Sequence, residues 1–104
     1  LDQLPSCVEF AKIPSDNPKL LSKLLAERGL NKILWECGPK LATSALKNGC
    51  IQETITFISP KILGGVNAMT PFDDFNFDDM NKVKILKRGN IQILKSDICL
   101  KNFL

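Results

Sequence analysis

Apolar residues recur along this chain at two spacings, and the change of spacing marks where one element should give way to the next. Leu20, Leu21, Leu24 and Leu25 form the stripe of an amphipathic helix. Asn17-Pro18 ahead of them offers a cap and a first-turn proline, and Gly29 behind them is a stop. Lys32-Ile33-Leu34-Trp35-Glu36 is a short apolar run, which predicts a strand largely covered on both faces. After Pro39, helical spacing returns with Leu41, Ala42, Ala45 and Leu46, and Asn48-Gly49 ends this second helix. From Pro39 to Asn48 it would run about 15 Å. Thr54-Ile55-Thr56-Phe57-Ile58 is rich in β-branched residues and predicts a further strand, and residues 6–12 predict a short earlier one.

From residue 6 to residue 58 the order is strand, helix, strand, helix, strand, which favours parallel pairing with right-handed crossovers. The tail has another character. Lys82–Arg88 predicts a strand with Val83 and Ile85 on one face, Gly89-Asn90 predicts a turn, and Ile91–Leu94 and Ile98–Phe103 continue with a break near Ser96-Asp97. A hairpin or meander fits. Residues 66–81 are polar and loop-like, with no repeat or low-complexity segment anywhere.

Composition narrows the function classes. With 104 residues and 44% hydrophobic content, the chain fits one small domain or part of a larger one. Stability is near balance at this length, so a missing half or a partner subunit matters. The sequence starts at Leu1, with no initiator Met, which fits either a trimmed chain or one piece of a longer polypeptide. No apolar stretch approaches the roughly 20 residues of a membrane span, and nothing resembles a signal peptide, so a cytoplasmic protein without membrane contact is expected.

The net charge of +3 is unevenly spread. Asp73, Asp74, Asp78 and Asp79 stand together, and Lys82, Lys84, Lys87, Arg88, Lys95 and Lys101 follow. Those bases alternate with apolar residues, as on a solvated sheet face, and do not suggest a nucleic-acid surface. The acidic spacing lacks the central glycine of a calcium loop. Cys7, Cys37, Cys50 and Cys99 make no CxxC pair and there is no histidine, so no metal site is expected and His-based triads are excluded. Free, mostly buried thiols in a reducing compartment fit best.

The candidate chemistry lies in the turn Glu36-Cys37-Gly38-Pro39. Gly38 offers an unusual backbone angle and room for a ligand, and Pro39 suits the first helical position. The unpaired amides of Gly38, Lys40 and Leu41 would point out of the helix start, where the helix dipole and the Lys40 ammonium favour a phosphate. The same residues also suit an ordinary helix start, and neither a GxGxxG nor a P-loop is present. Glu36 would share a face with Leu34 at the end of a covered strand and so need a hydrogen-bond partner: a sugar hydroxyl, a base amino group, or a group of the protein itself. It belongs on the sugar or substrate side, since like charges repel. Gly64-Gly65, after Ser59-Pro60, reads as a sharp turn or a pocket wall, and Trp35 reads as core.

Read together, Ile33-Leu34-Trp35-Glu36-Cys37-Gly38-Pro39-Lys40-Leu41-Ala42, Ala45-Leu46-Lys47-Asn48-Gly49-Cys50, Ile51-Gln52-Glu53 and Ser59-Pro60-Lys61-Ile62-Leu63-Gly64-Gly65 resemble the reductase domain of the riboflavin-biosynthesis deaminase–reductases and their stand-alone reductase relatives. The resemblance spans roughly residues 18–103, the C-terminal half of that domain. It implies an α/β fold similar to dihydrofolate reductase: a mixed sheet, here a partial domain of βαβαβ followed by an antiparallel hairpin or meander. Residues 1–104 would then be the C-terminal part of one reductase domain, without the zinc deaminase domain and without the reductase's first strands.

The implied reaction reduces the ribosyl group of 5-amino-6-(5-phosphoribosylamino)uracil to ribityl, with NADPH as cofactor and a homodimer as the usual assembly. The resemblance puts Glu36 beside the substrate sugar and Cys37, Gly38, Pro39, Lys40 and Leu41 around the cofactor phosphates, with Gly64 and Gly65 shaping the adjoining loop. It assigns no catalytic nucleophile or acid–base residue. The family more often has glycine where Cys37 stands. These residues alone are expected to be inactive, and a non-catalytic nucleotide-binding or assembly module of the same architecture is the alternative.

Overall fold

Local chemistry sets both helices. A computed structural model describes residues 5–104, with α1 at Pro18–Glu27 and α2 at Pro39–Lys47. The Asn17 side chain accepts the Lys19 amide at 3.0 Å, and Pro18 behind that cap is buried. Both helices close with the same pair of bonds. In α1 the Gly29 amide donates to Ala26 (2.9 Å) and the Leu30 amide to Leu25 (3.0 Å). In α2 the Gly49 amide donates to Leu46 (3.1 Å) and the Cys50 amide to Ala45 (2.9 Å). This closure needs a left-handed residue after the cap, and Gly29 and Gly49 supply it with φ of 81° and 69°.

The helices pack on each other, and Pro18, Thr43, Ala45 and Leu46 are the buried side chains among the described residues. A strap from the segment expected to be polar also crosses α2. The Thr43 hydroxyl accepts the Asp73 amide at 2.8 Å and lies 3.4 Å from the Asp73 carbonyl, to which it donates. Lys47 sits 5.2 Å from the centroid of the Phe75 ring, which stacks on Phe77 at 5.2 Å.

The sheet has three strands, β1 (Glu53–Ile58), β2 (Lys87–Leu94) and β3 (Asp97–Phe103), in the order β1-β3-β2 with both pairings antiparallel. Register puts Thr56, Ile58, Leu100, Ile98, Ile91 and Ile93 on one face. The other face carries Ile55, Phe57, Cys99 and the ion pair Glu53–Lys101 at 2.9 Å. No helix α-carbon comes within 8 Å of a strand α-carbon, and β2 is exposed along its whole length. The accessible surface is 9239 Å², where a closed monomer of this length would show about 5,800 Å². The radius of gyration is 16.4 Å, against about 13 Å for a closed domain.

This architecture is the mixed α/β arrangement expected of a partial reductase-like domain, with four local differences. Residues 6–12 and 32–36 form no ladder, so the expected parallel pairing is absent among the described residues. A strand exists only with a neighbour, and neither segment has one here. The strand expected at Lys82–Arg88 begins only at Lys87, after a 3-10 turn at Met80–Lys82. Gly89-Asn90 is a bulge and not a turn: both residues stand opposite Lys101 alone, between the pairs Arg88↔Asn102 and Ile91↔Leu100. A side chain at Gly89 would lie 2.7 Å from the Phe103 ring and 2.8 Å from the Lys101 carbonyl oxygen. The turn is Lys95-Ser96, with Lys95 left-handed at φ 57°.

Candidate functional site

The start of α2 has the donors that an anion needs. Ala42 is the first residue whose amide finds a helical acceptor, the Gly38 carbonyl at 3.1 Å. Among the described residues, the amides of Gly38, Lys40 and Leu41 meet no acceptor, and no side chain caps the helix. Lys40 and Leu41 are exposed, and Lys40 makes no ion pair among the described residues. Pro39 occupies the first helical position as expected.

Gly38 corrects the sequence argument. Its φ of −70° and ψ of 168° are ordinary extended values that any residue adopts. What glycine contributes is space, since a Cβ there would meet nothing within 4 Å.

The segment before the turn alternates as a strand does. Ile33, Trp35 and Cys37 are half-buried while Leu34 (80% exposed) and Glu36 face outward. Leu34 and Glu36 therefore share a face as expected, but nothing covers it, and the Glu36 carboxylate is solvated where a poorly hydrated one was expected. Cys37 is a free thiol, half-buried like Cys50 and Cys99, while Cys7 is exposed. The thiols are thus less buried than the composition suggested.

Gly64 and Gly65 do form a sharp turn, with φ of 67° and 111°. The Ala68 amide closes it on the Gly65 carbonyl at 3.3 Å. Ile62, Leu63 and Val66 around it are almost wholly exposed. No hydrogen bond or ion pair among the described residues ties this turn to the start of α2. The Ser59 hydroxyl anchors the base of the loop by donating to Asp97 at 3.0 Å.

Two clefts among the described residues lie elsewhere. One, of about 670 Å³, runs along the strap between Thr70 and Phe77. The other, about 180 Å³, lies on the sheet between Ile55, Asn90, Gln92, Cys99 and Lys101. The α2 start is an open surface, with Gly38, Lys40 and Leu41 all exposed. The acidic run is engaged locally: Lys82 lies 2.7 Å from Asp78, and Asp79 accepts the Asn81 amide at 2.9 Å. The Lys82 ammonium, with a backbone hydrogen bond, holds the Asp78 carboxyl below the usual carboxylate range. No group of three or more metal-ligating side chains forms among the described residues, and no helix there is long and apolar enough to cross a membrane.

The sequence reading missed the strap and the role of Gly89. Phe72, Phe75 and Phe77 inside an acidic stretch were the available signal for the strap.

Comparison with known proteins supplies the context for this open surface. The family model described as the RibD C-terminal domain matches residues 7–100. The chloroplastic riboflavin biosynthesis protein PYRR of Zea mays is 31% identical over 97 residues, which is 93% of this chain and 16% of that protein. The riboflavin biosynthesis protein RibD of Synechocystis sp. is 33% identical over 90 residues, 86% of this chain and 24% of that protein. A solved structure of Acinetobacter baumannii RibD superposes with a TM-score of 0.73 at 26% identity, covering 92% of this chain and 25% of that one. The chain thus spans a quarter or less of each of these relatives.

Proposed function

Because this chain belongs to the RibD C-terminal domain family, we propose that its parent protein is an NADPH-dependent reductase that converts the ribosyl group of 5-amino-6-(5-phosphoribosylamino)uracil to ribityl in riboflavin biosynthesis. These 104 residues would form the C-terminal part of that reductase domain. The observation that carries the reading is the α2 start, where, among the described residues, three amides meet no acceptor, Lys40 makes no ion pair and open space lies at Gly38. That donor set suits a phosphate or pyrophosphate.

NADPH, when bound, supplies the hydride. The residues here position and neutralise. Gly38, Lys40 and Leu41 would donate their amides to cofactor phosphate oxygens, with Cys37 and Pro39 shaping the turn. Lys40 would add a mobile cation. Glu36, on the outward face with Leu34, would accept from hydroxyls of the substrate sugar. Gly64 and Gly65 would shape the loop beside them. Such a reaction depends on positioning more than on a protein nucleophile, which suits a chain without histidine. The parent would act as a homodimer in the cytoplasm, and the chain alone would turn over no substrate. A non-catalytic binding module of the same architecture is the second reading.

The test is titration with NADPH and with NADH, following the Lys40 and Leu41 amide resonances by NMR. Saturable shifts confined to the α2 start support the reading, and their absence at millimolar NADPH overturns the assignment of these residues.

A further inference from the structure

Thr43 is 6% exposed, and its hydroxyl serves a single residue of another segment. It accepts the Asp73 amide at 2.8 Å and donates to the Asp73 carbonyl at 3.4 Å. Answering both backbone groups of one residue is what a neighbouring strand does, here done by one side chain. Valine has nearly the same shape without the hydroxyl, so packing alone does not account for threonine at this place.

The strap meets α2 at two points in matching order, Asp73 at Thr43 and Phe75 at Lys47. It therefore runs in the direction of the helix, and the residues before Asp73 lead back toward the α2 start. Lys40, Thr43 and Lys47 lie on one face of α2. Lys40 stands about 4.5 Å of helix before Thr43, and Thr70 lies at most about 10 Å of chain before Asp73. The strap can thus bring Thr70 and Pro71 level with the amides that meet no helical acceptor.

Further back the same chain carries the Gly64-Gly65 turn. Residues 59–73 form a loop held at one end by Ser59, which donates to Asp97 of β3 at 3.0 Å, and at the other by Thr43. Between those ends Ile62, Leu63 and Val66 are almost wholly exposed, so packing does not set its course. No helix α-carbon comes near a strand α-carbon. The clasp at Thr43 is therefore where a loop that leaves the sheet is fastened to the helix.

We propose that Thr43 is a positioning residue: by clasping Asp73 it holds the preceding loop beside the α2 start, so that Gly64, Gly65 and Thr70 respond to a phosphate compound held there. The proposal rests on the reading of that start as a phosphate site, and adds to it a residue that touches neither phosphate nor sugar.

The experiment titrates this chain with NADPH and follows its backbone amides by NMR. In the parent chain and in Thr43→Ser, which keeps the hydroxyl, Gly64, Gly65 and Thr70 should shift along the same binding curve as Lys40 and Leu41. In Thr43→Val, Lys40 and Leu41 should still respond while the response of the three loop amides is lost. Asp73→Pro deletes the amide that Thr43 accepts and leaves α2 untouched, so it should act as Thr43→Val does. Slow amide exchange at Ala45 and Leu46 shows that α2 stays folded in each variant. A loop response that survives both Thr43→Val and Asp73→Pro overturns the proposal. So does a parent chain in which Lys40 and Leu41 respond and the loop does not. Silence at Lys40 and Leu41 overturns the nucleotide reading and this proposal with it, so the two failures are told apart.

Discussion

Replacing Gly38 with aspartate should move stability and binding in opposite directions, and the structure says why. Gly38 is the N-cap of α2, its backbone is already extended, and nothing lies within 4 Å of the new Cβ. Aspartate fits there without strain and is among the best N-caps. Capping the free amides gains a few tenths of a kcal/mol over glycine, and charge at the helix start adds about 0.3–1 kcal/mol. Those same amides would then be lost to a phosphate. A carboxylate about 4 Å from a phosphate charge repels it by about 1 kcal/mol in water and about 4 kcal/mol at the effective dielectric of a protein surface. At this open position the low end of that range applies, about 1–2 kcal/mol, so NADPH affinity should fall by about five- to thirtyfold. Gly38→Ala adds only a methyl group in open space and should stay close to the parent in affinity. Urea unfolding reads the stability, and NADPH titration reads the binding. If Gly38→Asp stabilises the helix while NADPH binds as well as before, the amides do not hold the phosphate and the argument fails.

Other perturbations test the scaffold. Gly89→Ala drives a methyl group into the Lys101 carbonyl and the Phe103 ring; it should cost about 1–3 kcal/mol and speed exchange in β2 and β3 first. A cost under about 0.5 kcal/mol would show that the bulge has room. Thr43→Val removes the hydroxyl that pairs with both backbone groups of Asp73. It should cost about 1–3 kcal/mol and release the strap, seen as faster exchange at Asp73 and loss of the Phe75 ring-current shifts; a silent substitution would refute the clasp. The Asp78–Lys82 pair stabilises above the ordinary carboxylate pKa and loses that contribution as pH falls through the lowered value. NMR titration of Asp78 should therefore give a midpoint that rises toward the ordinary value in Lys82→Met. The effect on folding should be small and erased by salt, because the pair is exposed.

What could be read from the sequence was what a few neighbouring residues decide. Asn17-Pro18, Gly29, Pro39 and Gly49 mark the helix ends correctly because capping is a matter of adjacent backbone groups. β1 was legible from its β-branched residues for a similar reason. Gly89 was misread because its role is set by Phe103, fourteen positions on in the chain. The break expected near Ser96-Asp97 falls one residue earlier, at Lys95-Ser96, because Leu94 pairs with Asp97 and the two residues between them close the hairpin, with Lys95 left-handed. At Lys32–Glu36 the alternation was legible, but the ladder and the burial of Glu36 require a cover that these residues do not contain.

The same division says which part of the candidate site should be robust. The shape at Gly38–Leu41 depends on a proline, a helix that packs against α1 and the burial of Ala45 and Leu46, with Thr43 tied to the strap. All of these lie within the chain. The outward face of Leu34 and Glu36 and the exposed loop at Ile62, Leu63 and Val66 depend on groups that none of these residues supplies. On the proposed reading, phosphate binding at the α2 start should therefore be measurable with this chain alone, while the placement of Glu36 against a sugar should not. Catalysis needs both at once, since hydride transfer tolerates little misplacement.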